Sequence, residues 1–472
     1  MSIKIYNTLT SKKEEFIPIQ EGEVKIYNCG PTVYDFFHIG NARNFIIIDV
    51  IRRYFEYKNF KVTLVQNITD VDDKIINKAK LEGKTPKEIA EKYTAYYFED
   101  LEKLGIKKAH INPKATEHIN EIIELIKVLI KKGFAYELDG DVYFDVSKVK
   151  DYGKLSHKNI EELKAGARIE VNEKKKNPLD FALWKKDKGE GVSWHSPWGD
   201  GRPGWHTECC VMSTKYLGQP FDIHSGGIDL IFPHHENEIA QIESATDKKF
   251  VNFWIHNGHL NIRGEKMSKS LGNFLLVRDI LKKYNPNVIR FFILTSHYRS
   301  PLDWTEKNIS SAYNGFKEFY NTFWRMKGIL EKPVVESGKM IIELNDKIKE
   351  TKEKFNNAMD DDFNTALALS SIFELINYIK NLITSKEFKL TRENKDIIKN
   401  SFNLLKELSN VLGFTFEEES ISEEIKNLVK EREKYRFEKN WQKADEIRCK
   451  LEKEGIILED TPKGTIIIRR FL

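Results

Sequence analysis

Two short segments carry residues suited to a polyphosphate. His38-Ile39-Gly40-Asn41 follows an apolar run and opens a helical pattern. A helix N-terminus presents unpaired backbone N–H groups and the positive end of a dipole, which favour phosphate. Gly40 allows close approach to the backbone, and His38 and Asn41 can donate hydrogen bonds. More than 200 residues later, Lys266-Met267-Ser268-Lys269-Ser270 places two ammonium groups three positions apart beside two hydroxyls. Gly264 and Gly272 flank it, so the segment reads as a loop. Each motif alone also fits a bland reading: a capping histidine, and a solvated basic loop.

A second set of residues has metal-ligand character. His234 and Glu238 are four apart, a spacing that puts them on one helical face. Cys29 ends the first apolar run, nine residues before His38, and Cys209 lies in Gly204-Trp205-His206-Thr207-Glu208-Cys209-Cys210. Two thiolates, an imidazole and a carboxylate make a tetrahedral zinc set. Cys210 is an alternative to Cys209, and His235 and Glu236 are alternatives to their neighbours. The competing reading makes the cysteines small buried hydrophobes.

These residues need a scaffold. Val24–Cys29 and Lys61–Gln66 read as strands, and Asn41–Tyr57 as a helix with Phe45, Ile48, Ile51 and Phe55 at helical spacing. Strand, crossover helix and parallel strand define an open α/β sheet, whose ligands bind at the carboxyl ends of its strands. Thr85-Pro86 reads as a helix start, and Asp139-Gly140 as a hairpin turn. The expected division is a Rossmann-like catalytic domain over 1–105 and 199–250, interrupted by an insertion at 106–198. A connecting region at 251–315 carries the Lys266–Ser270 loop. A helical bundle at 316–410 and a small basic C-terminal domain at 411–472 follow.

Composition narrows the class. The chain has 472 residues, enough for about three domains. Hydrophobic residues make up 40% and charged residues 31%, as in a globular protein. Net charge is only +4, so clustering rather than balance must carry any nucleic-acid interaction. Four cysteines are too few for a disulfide framework. No run approaches the roughly 20 apolar residues of a membrane span, and the first residues lack the apolar core of a secretory leader. A cytoplasmic location, no membrane partner and a monomer are expected.

The paired motifs, in this order, resemble the HIGH and KMSKS motifs of class I aminoacyl-tRNA synthetases. The second matches in full; the first departs at its fourth letter, with Asn41 in place of histidine. Asn28–Asp35, Gly204–Cys209 and Gly226–Glu238 narrow the resemblance to the cysteinyl-tRNA synthetase family. That resemblance implies ATP-dependent activation of L-cysteine and its transfer to tRNA(Cys). It places one Zn²⁺ on Cys29, Cys209, His234 and Glu238, and Mg²⁺ with ATP. It implies catalytic roles for His38, Asn41, Lys266 and Lys269, with Gly40, Gly227, Ser268 and Ser270 also contacting ATP. Thr69, Trp205, His224 and Asp229 would form the cysteine pocket. Zinc prefers a soft thiolate to a hydroxyl, which would separate cysteine from serine. For the tRNA, Lys426, Lys430, Arg432, Lys434 and Arg436 form a basic helix, and Phe437, Trp441, Arg448, Arg469 and Arg470 could meet anticodon bases. Two other functions fit parts of the pattern: a ligase joining cysteine to a small amino-sugar, and a zinc-stabilised RNA-binding protein without catalysis.

Overall fold

A computed structural model describes residues 2–159, 162, 175–266, 274–416, 422–461, 464–469 and 471. These residues form two compact units, one of 2–283 with 298–304 and the other of 284–297 with 305–472.

The first unit is built on a four-stranded parallel sheet. Its elements in chain order are β1 (Glu23–Asn28), α1 (Ile39–Tyr57), β2 (Lys61–Gln66), α2 (Trp205–Leu217), β3 (Phe221–Gly227), α3 (Glu236–Thr246) and β4 (Val251–Asn257). The strand order is β4-β3-β1-β2, all parallel. From β1 the chain crosses to β2 on one side, and the later strands add on the other. The reversal leaves a crevice at the carboxyl ends of β1 and β3, where such sheets bind ligands. Both faces of the sheet are covered, so its strands read as apolar runs rather than as alternation. Tyr27, Val65, Phe221, Val251 and Trp254 pack with Met212 of α2 and Ile239 of α3 in one core.

Between β2 and α2 lies an antiparallel sheet of Ala135–Leu138, Asp141–Phe144, Phe181–Lys186 and Gly201–Pro203, in that order. Asp139 and Gly140 both have positive φ, the geometry a two-residue hairpin turn requires. The helix Pro86–Lys103 starts at Thr85, whose hydroxyl accepts from the Glu88 N–H while the Glu88 carboxylate accepts from Thr85.

In the second unit, helices Glu306–Leu330, Ile342–Asp360, Thr365–Thr384 and Arg392–Val411 pack as a bundle. Thr365–Thr384 is long and apolar enough to cross a membrane by length and composition, but Leu369, Ile372, Ile376 and Ile379 form part of the bundle core. Helices Glu423–Phe437 and Trp441–Lys453 then lead to a hairpin of Ile456–Thr461 and Gly464–Arg469. Asp460 on that hairpin receives two hydrogen bonds from Arg432, each 2.8 Å, and also pairs with Arg436. These guanidinium groups, Arg432 first, hold its carboxyl well below the ordinary carboxylate range.

Candidate active site and metal centre

His38 caps α1. Its Nδ1 accepts the Asn41 backbone N–H at 3.3 Å, and the Asn41 side-chain Oδ1 accepts the His38 backbone N–H at 3.3 Å. Asn41 thus supplies the return arm of a capping box, a role its amide oxygen can fill. Because Nδ1 is an acceptor, the neutral His38 ring carries its proton on Nε2. From the other side, Ile39 N–H donates to Leu275 O at 3.0 Å and Val277 N–H to Phe37 O at 3.2 Å. The Phe274 ring meets the His38 ring edge-on, centroids 4.6 Å apart.

His38, Gly40 and Asn41 line a cavity of about 360 Å³ together with Cys29, Trp205, Gly227 and Asp229. Two glycines shape its walls. A Cβ on Gly30 would lie 1.8 Å from the Asn67 carbonyl oxygen, and one on Gly227 would lie 2.5 Å from Asp229 Oδ1. An aromatic wall of Phe36, Tyr93, Tyr96 and Tyr97 completes it. No motif in the sequence marks that wall. The spacing of Tyr93, Tyr96 and Tyr97 on a capped helix was its available signal.

Lys266 ends the short strand Glu265–Lys266, which pairs antiparallel with Leu260–Ile262. Ser268, Lys269 and Ser270 lie outside the described residues. The approach to this segment is anchored by Arg43 of α1. Its buried guanidinium donates to the carbonyls of Gly258 (2.9 Å), His259 (2.7 Å), Tyr298 (3.1 Å) and Ser300 (2.5 Å). Burial lowers its pKa to about 10.

Behind Cys29 the four ligand candidates converge. The ligand atoms of Cys29, Cys209, His234 and Glu238 all lie within 4.8 Å of one another, and all four residues are buried. Cys29 and Glu238 form a second such group with His224 and His235. Cys210 points elsewhere, toward the carbonyls of His206 and Glu238. Glu236 accepts from the backbone of Leu155 and Ser156, away from the cluster. His234 lies one helical turn before Glu238, on backbone that is helical from Pro233 onward. It lies on a π-type turn, Ile231–His235, that precedes α3, after an extended break at Phe232. The four-residue spacing expected of one helical face brings His234 Nε2 to 3.1 Å from Glu238 Oε1.

The electrostatics of the cluster call for a cation. His234 Nε2 lies 3.1 Å from Glu238 Oε1, and no hydrogen bond satisfies that buried oxygen. Burial pushes His234 well below the ordinary histidine value, so its ring is neutral. Burial also raises the Cys29 thiol and the Glu238 carboxyl, so without a positive charge these groups would hold protons. A bound divalent cation inverts that preference. Neighbouring rings orient the ligands: His206 Nδ1 lies 2.9 Å from His234 Nδ1, His235 Nε2 lies 3.2 Å from Cys29 Sγ, and His224 Nε2 lies 2.9 Å from Glu238 Oε2.

The remaining pocket candidates separate. Trp205, 38% exposed, stacks near His234 at 4.2 Å between centroids and lines the cavity with Asp229. His224 is fully buried, stacked on Trp254 at 4.5 Å and turned to Glu238 rather than to the cavity. Thr69 is also buried. Its N–H donates to Pro31 O and its carbonyl accepts from Val33 N–H, so it supports the cavity wall from behind.

Residues 15–314 match the family described as "tRNA synthetases class I (C) catalytic domain", and residues 354–417 match the DALR domain. The fold is similar to that of Mycobacterium tuberculosis methionyl-tRNA synthetase solved with methionyl-adenylate. The TM-score is 0.63 at 16% identity, over 83% of this chain and 90% of that one. The cysteine–tRNA ligase of Carboxydothermus hydrogenoformans is 52% identical over 98% of this chain and 99% of its own length. That of Thermococcus onnurineus is 51% identical over 99% of both. The chain belongs to the cysteinyl-tRNA synthetase family.

Proposed function

We propose that the chain activates L-cysteine with ATP and transfers it to the 3′ end of tRNA(Cys). The observation that carries this reading is the position of Cys29, which belongs both to the 360 Å³ cavity and to the ligand cluster. The phosphate-facing helix terminus and the metal centre therefore share one crevice.

Cys29, Cys209, His234 and Glu238 would hold Zn²⁺. Bound there, the metal supplies a soft Lewis acid that prefers a thiolate to a hydroxyl and lowers the thiol pKa. The rest of the work falls to the protein. Asp229 receives the substrate ammonium, and Trp205 covers the small side chain. The substrate carboxylate is ionised at pH 7, so its attack on the α-phosphorus needs no general base. Rate comes from placing it in line and from stabilising charge on the phosphates. His38 donates from Nε2, the backbone at Gly40 and Asn41 presents the positive end of α1, and Lys266 and Lys269 with Ser268 and Ser270 hold the departing pyrophosphate with its Mg²⁺. Gly227 gives the nucleotide close access to the backbone. The proposed division of the chain follows the sequence: catalytic halves at 1–105 and 199–250, the insertion at 106–198, the connecting region at 251–315, the bundle at 316–410 and an anticodon-binding end at 411–472. The same reading extends to a monomer working in the cytoplasm, independent of membranes.

The test is pyrophosphate exchange with cysteine, serine and methionine, followed by charging of tRNA(Cys). Cysteine-dependent exchange without serine activity is expected, together with one zinc per chain that Cys29→Ser and His234→Ala each reduce. Exchange with methionine in place of cysteine would overturn the substrate assignment. Cysteine activation without tRNA charging would favour the amino-sugar ligase. Undiminished zinc in both variants would overturn the ligand set.

A further inference from the structure

Arg278 opens toward three elements at once. It lies on the short helix Val277–Leu281, directly after the strip Leu275–Val277 that pairs with Phe37–Ile39. Its Nε donates to the Asp100 carboxylate, 2.9 Å from Oδ1 and 3.0 Å from Oδ2, and its Nη2 donates to Glu99 Oε2 at 2.5 Å. The guanidinium also packs over two rings, with Cζ 4.6 Å from the Phe36 centroid and 4.2 Å from that of Tyr96. Phe36, Tyr96 and Asp100 all line the 360 Å³ cavity.

We infer that Arg278 is a positioning residue for His38, setting the nucleotide-facing imidazole by clamping the Phe274–Val277 strip to the Pro86–Lys103 helix. The inference rests on the reading of this cavity as the ATP site. His38 is held on one side by the Asn41 capping box and on the other by this strip. Arg278 supplies an anchor in which the edge of the guanidinium serves two carboxylates while its faces serve two rings. Lysine keeps the charge but cannot offer a planar face and a fork of donors together. An ordinary structural ion pair would influence stability and every ligand alike. A clamp on His38 acts on ATP and leaves the cysteine side of the crevice alone.

The experiment compares full-length wild type with Arg278→Lys, Arg278→Ala and Glu99→Gln. The measurements are kcat and KM for ATP in cysteine-dependent pyrophosphate exchange, cysteine binding by equilibrium dialysis, and the thermal midpoint. Arg278→Lys is expected to lower kcat/KM for ATP about tenfold and Arg278→Ala about a hundredfold, the scale of a small misplacement of a catalytic group. Cysteine binding should stay at the wild-type value. In a His38→Ala background, Arg278→Lys should cost nothing further, because the two act through one group. Unchanged ATP parameters in the Arg278 variants, or a full additional loss in the His38→Ala background, would overturn the inference. So would losses in ATP and cysteine binding that track the thermal midpoint together. Should Arg278→Ala fail to fold, Arg278→Lys and the partly exposed Glu99→Gln decide the matter. A wild type without cysteine-dependent exchange would instead overturn the functional reading beneath it.

Discussion

Asn41 shows how one side chain can serve local structure and chemistry together. Its oxygen accepts a hydrogen bond from the His38 backbone N–H, while its own backbone N–H fixes the His38 tautomer. Asn41→Ala removes the first bond and keeps the second. A loss of about 1 kcal/mol in stability is expected, as for other lost caps, with only a severalfold fall in adenylate formation. Urea unfolding and exchange kinetics on the same preparation check both. A collapse of exchange with unchanged stability would mean that the amide itself touches the nucleotide. The histidine shell is the other residue-scale lesson. His206, His224, His235 and His256 all have pKa values that burial drives down, so they serve as neutral donors and acceptors around the ligands. Nothing in their spacing along the chain announces this, because the shell is assembled from β3, β4, α2 and the π-type turn.

At the scale of elements, legibility followed the range of the interactions involved. β1, α1 and β2 were readable because each is a local pattern: a β-branched or apolar run, a cap, a helical stripe. The hairpin at Asp139-Gly140 and the start at Thr85 were readable for the same reason. The spacing of His234 and Glu238 was readable too, but the extended break at Phe232 just before it was not, since it depends on what surrounds it. The removal of His224 and Thr69 from the cavity surface was equally hidden. Sequence puts both residues at strand ends, and only packing decides which side they face. Gly30 lies between these cases. It is visible as a turn residue, but the reason it must be glycine is the Asn67 carbonyl pressed against it. Gly30→Ala should shift the β1 terminus, displace Cys29 and lower both zinc content and exchange at least tenfold, given how little displacement an assembled site tolerates. Metal analysis of the purified variant is the direct check, and full zinc occupancy would show that the strand end moves without Cys29.

At the scale of the whole molecule, the proposed function gives the two compact units separate tasks. The first carries every described residue of the proposed activation site. In the second, the helix pair before the terminal hairpin presents Phe437, 91% exposed, and Trp441, 58% exposed, on either side of its connecting turn. Exposed rings beside basic residues suit unstacked bases, for which stacking contributes about 1–3 kcal/mol each. Phe437→Ala and Trp441→Ala should therefore weaken charging of tRNA(Cys) while cysteine-dependent exchange without tRNA stays at the wild-type rate. Equal loss in both assays would place these rings in the stability of the unit. Arg469 belongs to the terminal strand, and Arg470 lies outside the described residues.

The glycines that shape the crevice have a consequence for inhibition. Gly30 and Gly227 offer main-chain atoms to whatever fills the cavity, and a side chain at Gly30 collides with the main chain of Asn67. A compound that takes its polar contacts from that backbone meets atoms that amino-acid replacement does not remove. Replacing Gly30 itself damages the enzyme the mutation is meant to protect. Resistance by a single substitution would then have to arise around the rim, at side chains such as Trp205 or Tyr96, and those are the positions to watch in selection experiments.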